Sequence, residues 1–164
     1  AGVVDWILIE LRTGTTASTL VARKAVFLKN DGSIVDLNGT SSITLTGLTS
    51  GYYYLVIKHR NHLPVMSASP VALTAASPLY DFSNALNKAY GLNSMISLGS
   101  GVYGLFSGDG DVNGAINVID YGSVGNNLFQ TGYRLGDIDM NGTINVLDYT
   151  KVGSNLFKST QVPN

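Results

Sequence analysis

The chain has 164 residues, enough for one or two domains. Its hydrophobic share of 45% is ordinary for a globular protein, and a net charge of −1 with only 13% charged residues offers no general attraction to nucleic acid or an anionic membrane. It has no cysteine, which removes disulfides, thiolate metal sites and cysteine nucleophiles together, and no apolar run long enough for membrane insertion.

The opening Ala1-Gly2-Val3-Val4-Asp5-Trp6 reads as the start of a piece excised from a longer protein. Residues 6–11 are an apolar, β-rich run. Residues 25–29 and 33–37 flank Asn30-Asp31-Gly32, whose Asp-Gly predicts a hairpin turn. Residues 42–46 alternate with period two, as a half-buried strand does, and residues 52–59 form a Tyr-rich strand. Pro64, Pro70 and Pro78 confine the next stretch to loops and edge strands. Residues 80–82 and 102–106 are expected as closing strands, and strands at this spacing predict a sandwich of two sheets. The run Leu45-Thr46-Gly47-Leu48-Thr49-Ser50-Gly51-Tyr52 resembles one corner of prealbumin-like and carboxypeptidase-regulatory-like immunoglobulin folds. Glu10, the only Glu, is a candidate for the buried acid that such domains use beside a Lys–Asn pair.

Lys58-His59-Arg60-Asn61-His62-Leu63 holds the only two histidines. No third and fourth zinc ligands lie near them in sequence, so the segment reads as a strand end whose side chains bond loop carbonyls. Together with Asp5-Trp6, Asp31-Gly32-Ser33-Ile34-Val35-Asp36 and Tyr52-Tyr53-Tyr54, it resembles a module of large secreted bacterial surface proteins often described as hemagglutinin-like.

Residues 108–129 and 136–157 are an internal repeat, each copy ending in Asn-Leu-Phe. The segment from Asp109 to Asp148 carries six Asp residues against the single cation Arg134, a density that repels itself unless a cation sits among the carboxylates. Each copy fits a 12-residue calcium loop, which takes oxygens from positions 1, 3, 5, 7, 9 and 12. Those positions are Asp109, Asp111, Asn113, Ala115, Asn117 and Asp120 in the first loop. In the second they are Asp137, Asp139, Asn141, Thr143, Asn145 and Asp148. Position 7 offers only its backbone carbonyl, and the sharp turn at position 6 is Gly114 or Gly142. Two calcium ions are therefore expected.

Position 12 is Asp where an ordinary EF-hand has Glu, and the residues before each loop do not look helical. A loop followed by one helix, given twice, resembles the dockerin family, whose loops read Asp-x-Asn/Asp-x-Asp/Asn-Gly-x-Val/Ile-Asn-x-x-Asp. The resemblance implies helices over about 118–128 and 146–157, packed antiparallel with near two-fold symmetry. Gly122, Gly125 and Gly153 weaken those helices by about 1 kcal/mol each. Dockerins present loop positions 10 and 11 to a cohesin. Here these are Val118-Ile119 and Val146-Leu147, apolar as in type II and non-clostridial variants, where clostridial type I dockerins commonly carry Ser-Thr. Such residues form either an apolar binding patch or a contact with the chain's own N-terminal domain.

The expected protein is mainly β. An immunoglobulin-like or prealbumin-like β-sandwich over residues 1–105 precedes a small α-helical dockerin-like module over 106–164, an arrangement resembling X-module–dockerin pairs. No catalytic constellation is present, so the chain is expected not to be an enzyme. The implied function is calcium-dependent docking of a secreted bacterial surface protein to a cohesin-type partner or another surface protein, with self-association open. The alternative is a calcium-braced adhesive or structural element without a cohesin.

Overall fold

The computed structural model describes residues 2–164. Alternating apolar side chains build the central hairpin: β1 (Val3–Arg12) and β2 (Leu20–Lys29) pair antiparallel, with Ile7 opposite Val26. β4 (Gly51–Lys58) lies on the other side of β1, placing Ile57 opposite Ile9 and Leu55 opposite Leu11. β3 (Ile34–Val35) extends one edge beside β2. On the other edge β5 (Val65–Met66) and β6 (Val71–Leu73) pair successively along β4, completing a six-stranded antiparallel sheet. A two-stranded hairpin, β7 (Ile96–Gly99) and β8 (Val102–Gly104), stands apart.

The face of the sheet bearing Ile7, Ile9, Leu11, Val26, Tyr53 and Ile57 is buried. It is covered by Met95 and Ala89, by Tyr103 of β8, and by Ile43, Leu45, Leu48 and Phe82 from irregular chain. The fold is thus mainly β with antiparallel sheets, and the layer opposite the main sheet is mostly loop.

Two expected strands are irregular. Residues 42–46 hold their backbone through side chains: Thr44 N donates to Asp36 Oδ2 (3.2 Å), and Thr44 O accepts from Lys24 Nζ (2.6 Å). At residues 80–82, Asp81 Oδ1 accepts from Ser83 N and Oγ, a local turn that competes with a ladder. The Asn30-Asp31-Gly32 turn forms as expected, closed by Lys29 N to Ser33 O (2.9 Å) with Gly32 at φ 80. Tyr53 Oη donates to Thr49 O (2.9 Å), bracing the corner before β4 as a tyrosine corner does.

The opposite face of the sheet carries an ionic cluster. Glu10, buried, sits 3.1 Å from Arg12 Nη2, 2.9 Å from Lys58 Nζ and 3.3 Å from Arg23 Nη2. Burial alone would push its carboxyl up, but the hydrogen bonds from Lys58 and Arg12 outweigh this and hold it below the usual value. Its partners are cations, so no Lys–Asn pair is served. Arg12 also donates to Pro163 O (2.7 Å), tying the C-terminal tail to this face.

The end of β4 joins the sheet to the repeats. Asn61, fully buried, donates to Leu135 O (3.2 Å) and Asp137 O (2.8 Å), while its own carbonyl accepts from Gly108 N (2.9 Å). Asn61 therefore touches the start of both loops. Arg60 donates to Asp5 Oδ2 (2.8 Å) and to Arg134 O. The loop carbonyls are bonded by Arg60 and Asn61, and the histidines fill the junction: His59 and His62 pack edge-to-face with centroids 4.6 Å apart. His59 Nε2 lies 3.1 Å from Asp5 Oδ2 but off the direction of a hydrogen bond. Among the described residues no helix is long and apolar enough to cross a membrane.

Two predictions follow from these buried charges. Glu10→Ala leaves Arg12 buried beside no carboxylate and should cost about 3–5 kcal/mol in urea unfolding, with Glu10→Gln milder; an alanine variant within about 1 kcal/mol of the parent would contradict this assignment. Burial, then the neighbouring His59 and Arg60, pushes His62 down to about 3 from 6.5, and burial likewise lowers His59. Both shifts favour the neutral form in the folded state, so their stabilisation is complete above pH 6.5 and falls as pH drops, for His62 down to about 3. Between pH 7 and 5 the melting temperature of His62→Gln should therefore change less unfavourably than that of the parent; an equal change in both would show that other groups set it.

Candidate metal centre and docking face

The two loops fold alike, hydrogen bond for hydrogen bond. Asp109 accepts Asn113 N on Oδ1 (3.0 Å) and Gly114 N on Oδ2 (3.1 Å); Asp137 accepts Asn141 N and Gly142 N, each at 3.1 Å. Asp120 accepts Gly110 N (2.8 Å), Asp111 N (3.2 Å) and Asn117 N (2.7 Å). Asp148 matches it with Ile138 N (2.7 Å), Asp139 N (3.1 Å) and Asn145 N (2.8 Å). Gly114 and Gly142 take φ 86 and 88, the left-handed turn expected at position 6. Val112 and Met140, at position 4, take φ 61 and 60, which is strained for a β-branched Val. The carbonyls of Ala115 and Thr143 accept from Asn117 Nδ2 (3.4 Å) and Asn145 Nδ2 (3.1 Å).

These bonds bring three carboxylates together in each loop. Oxygen atoms of Asp109, Asp111 and Asp120 lie within 4.8 Å of one another, as do those of Asp137, Asp139 and Asp148. Asp109, Asp120, Asp137 and Asp148 are at most 2% exposed. Burial, reinforced by Asp120 and Asp111, pushes Asp109 up to about 6 despite the N–H donors from Gly114 and Asn113. Burial also raises Asp137, where Arg60 acts in the opposite sense. Clustered carboxylates in a dry loop favour a hard divalent cation, and the Asn side chains and position-7 carbonyls add oxygen donors of the same kind.

The repeats are built crosswise. After the first helix, residues 129–132 return to pair with loop 2: Phe129 N to Ile144 O (2.8 Å), Ile144 N to Gln130 O (2.9 Å) and Gly132 N to Gly142 O (3.0 Å). After the second, the tail pairs with loop 1: Phe157 N to Ile116 O (2.8 Å), Ile116 N to Lys158 O (2.7 Å) and Thr160 N to Gly114 O (2.8 Å). Ile116, Ile138, Ile144, Val124 and Val152 form a small core closed by Leu63 and Phe106.

The helices are shorter than expected: α1 is Asp120–Gly125 and α2 is Val146–Ser154. Asn145 caps α2 in a capping box with Asp148, so one carboxylate serves loop and helix together. Two of the glycines that weaken these helices also have a steric purpose. A Cβ on Gly125 would meet Tyr149 Oη at 2.6 Å, and one on Gly153 would meet Tyr121 Oη at 3.0 Å. The two tyrosines cross between the helices with ring centroids 5.5 Å apart.

Val118, Ile119, Val146 and Leu147 do not pack against the N-terminal domain; they are 55–68% exposed. Phe129 and Phe157, which sequence reasoning did not assign to this surface, are 80% and 85% exposed at φ 65 and 66. The signal was the repeated Asn-Leu-Phe ending, in which Leu128 and Leu156 turn to the core and each Phe turns out. The backbone bonds from Phe157 to Ile116 and from Phe129 to Ile144 set each Phe beside the loop that carries an exposed pair.

No protein-family model matches the chain, and no curated protein matches it. Among solved structures, the chain is similar to a chain of a type II cohesin–X-dockerin complex from Acetivibrio cellulolyticus, a C-terminal interface mutant. That similarity has a TM-score of 0.52 and 17% identity, covering 96% of this chain and 84% of that one. An N-terminal interface mutant of the same kind of complex aligns over the same shares at 17% identity with a TM-score of 0.45, too low to add an argument. At this identity the likeness is one of fold, shared with a component of a protein–protein complex.

Proposed function

We propose that this chain is a non-catalytic extracellular module of a bacterial surface protein that binds two calcium ions and docks to a cohesin-type partner. The observation that carries the proposal is the duplicated ring of three carboxylates, two of them buried in each copy. The first ion would be held by Asp109, Asp111, Asn113, Asn117, Asp120 and the Ala115 carbonyl; the second by Asp137, Asp139, Asn141, Asn145, Asp148 and the Thr143 carbonyl. Calcium would neutralise carboxylates that otherwise repel, and so stiffen both loops. Val118, Ile119, Val146 and Leu147 stand at the exposed ends of those loops, so ordering the loops orders the apolar surface. Similarity over 96% of the chain extends through the repeats as well as the sheet, which supports an X-module–dockerin reading of the whole.

The second reading is calcium bracing alone, without a cohesin. It is favoured by the size of the repeat core, seven buried apolar residues in a chain lacking disulfides, which needs another staple.

Calorimetric titration of chelator-stripped protein should show two calcium sites, one lost in Asp109→Ala and the other in Asp137→Ala. At one hundred times its Kd each ion should add about 2.7 kcal/mol to stability. Absence of calcium heat with an unchanged melt would remove the proposal. With calcium present, a panel of cohesins should yield a binder whose affinity drops at least tenfold when Val118→Asp and Val146→Asp are combined, roughly the loss of one buried aliphatic contact on each face. Calcium binding without any cohesin binding would favour the bracing reading.

A further inference from the structure

The loops are copies in sequence, yet the β-rich domain sets different charges beside them. Among the described residues, no Lys, Arg or His nitrogen lies within 4.0 Å of a loop 1 carboxylate. Loop 2 has Arg60, whose Nη2 is 3.7 Å from Asp137 Oδ2. This guanidinium is fixed. Its side chain is buried, its Nε bonds Asp5 Oδ2 at 2.8 Å, it lies 4.4 Å above the Tyr133 ring, and it donates to Arg134 O. Tyr133 in turn donates to Asp5 Oδ1 (2.9 Å), which closes the cluster. An ion entering loop 2 meets a cation that cannot swing away.

Each loop presents three carboxylates; within 4.0 Å of them, among the described residues, loop 1 has no cation, while loop 2 has the Arg60 guanidinium, which Asp5 offsets in part from its far side. Calcium affinity in such loops follows charge count and rigidity. A fixed unit charge a few ångströms from a divalent ion, in a partly buried site, changes affinity by at least about tenfold. We infer, resting on the calcium reading above, that Arg60 makes the two sites unequal: loop 1 binds calcium tightly, and loop 2 binds it more weakly because the β-rich domain has already supplied part of its counter-charge. Arg60 is a positioning and affinity-setting residue, not an ion ligand.

Loop 2 fills last, and Val146 and Leu147 begin the helix that leaves it. Occupancy of that half of the docking face then responds to calcium over a range set by Arg60.

The test is calcium titration of the full chain by calorimetry, with Asp109→Ala isolating loop 2 and Asp137→Ala isolating loop 1. The expected result is a loop 1 site at least about tenfold tighter than loop 2. In the Asp109→Ala background, Arg60→Gln should tighten loop 2 by about tenfold. Asp5→Asn is the control: it breaks the same junction but leaves the cation beside Asp137, no longer offset by the Asp5 carboxylate, and should weaken loop 2 rather than tighten it. Equal sites, a loop 2 weakened by Arg60→Gln, or an equal gain from Asp5→Asn would each overturn the inference. The loop comparison does not need the Arg60 variant, so it decides the matter even if that variant fails to fold. Absence of calcium heat in the parent chain would instead remove the calcium reading beneath it.

Discussion

Asp109, Asp120, Asp137 and Asp148 are carboxylates shut away from water within ångströms of their own kind. Two like charges at about 4–5 Å repel by about 3–4 kcal/mol at an effective dielectric near 20. Backbone N–H groups converge on each carboxylate and offset part of that cost, and they shape the loop in doing so. The left-handed turns at Val112, Gly114, Met140 and Gly142 point the N–H groups inward. A short helix leaves each loop at or beside its last carboxylate, and Asn145 and Asp148 cap the second. What remains of the repulsion is what a bound cation would relieve under the proposed reading.

The second constraint is crosswise assembly. Neither loop is completed by its own repeat: loop 1 pairs with the chain after α2, and loop 2 with the chain after α1. Tyr121 and Tyr149 pass each other over Gly153 and Gly125, so the helices approach only where no Cβ intervenes. The β-rich domain grips this unit at both ends. Asn61 holds the start of both loops, and the tail that completes loop 1 runs on to Arg12 and, through Thr160 Oγ1, to Pro64 O (2.7 Å). Loop order and domain packing are therefore coupled, and the exposed Val118, Ile119, Val146 and Leu147 are carried on a braced surface.

That the carboxylates of each repeat come together was legible in the sequence, because they recur at the same spacing in two copies. The strands 6–11, 25–29 and 52–59 were legible because alternation and β-branched or aromatic content suit a half-buried sheet. Less was visible where partners are distant in the chain. Arg60 and Asn61 act on residues more than seventy positions away: that this strand end bonds loop carbonyls was legible, but which carbonyls was not. Residues 42–46 had the right period but found side-chain partners before strand partners. The helix glycines were read as a weakness because the tyrosines they admit belong to the other repeat.

Under the proposed function each carboxylate ring is a calcium site. Crystals grown with calcium chloride and measured at long wavelength test it most directly, because calcium then gives an anomalous signal that water and sodium do not match. Two anomalous peaks are expected, one among Asp109, Asp111 and Asp120 and one among Asp137, Asp139 and Asp148, each ringed by about six to eight oxygens at about 2.3–2.6 Å. Carboxylate rings without such peaks, holding only water or closed by hydrogen bonds, would contradict it.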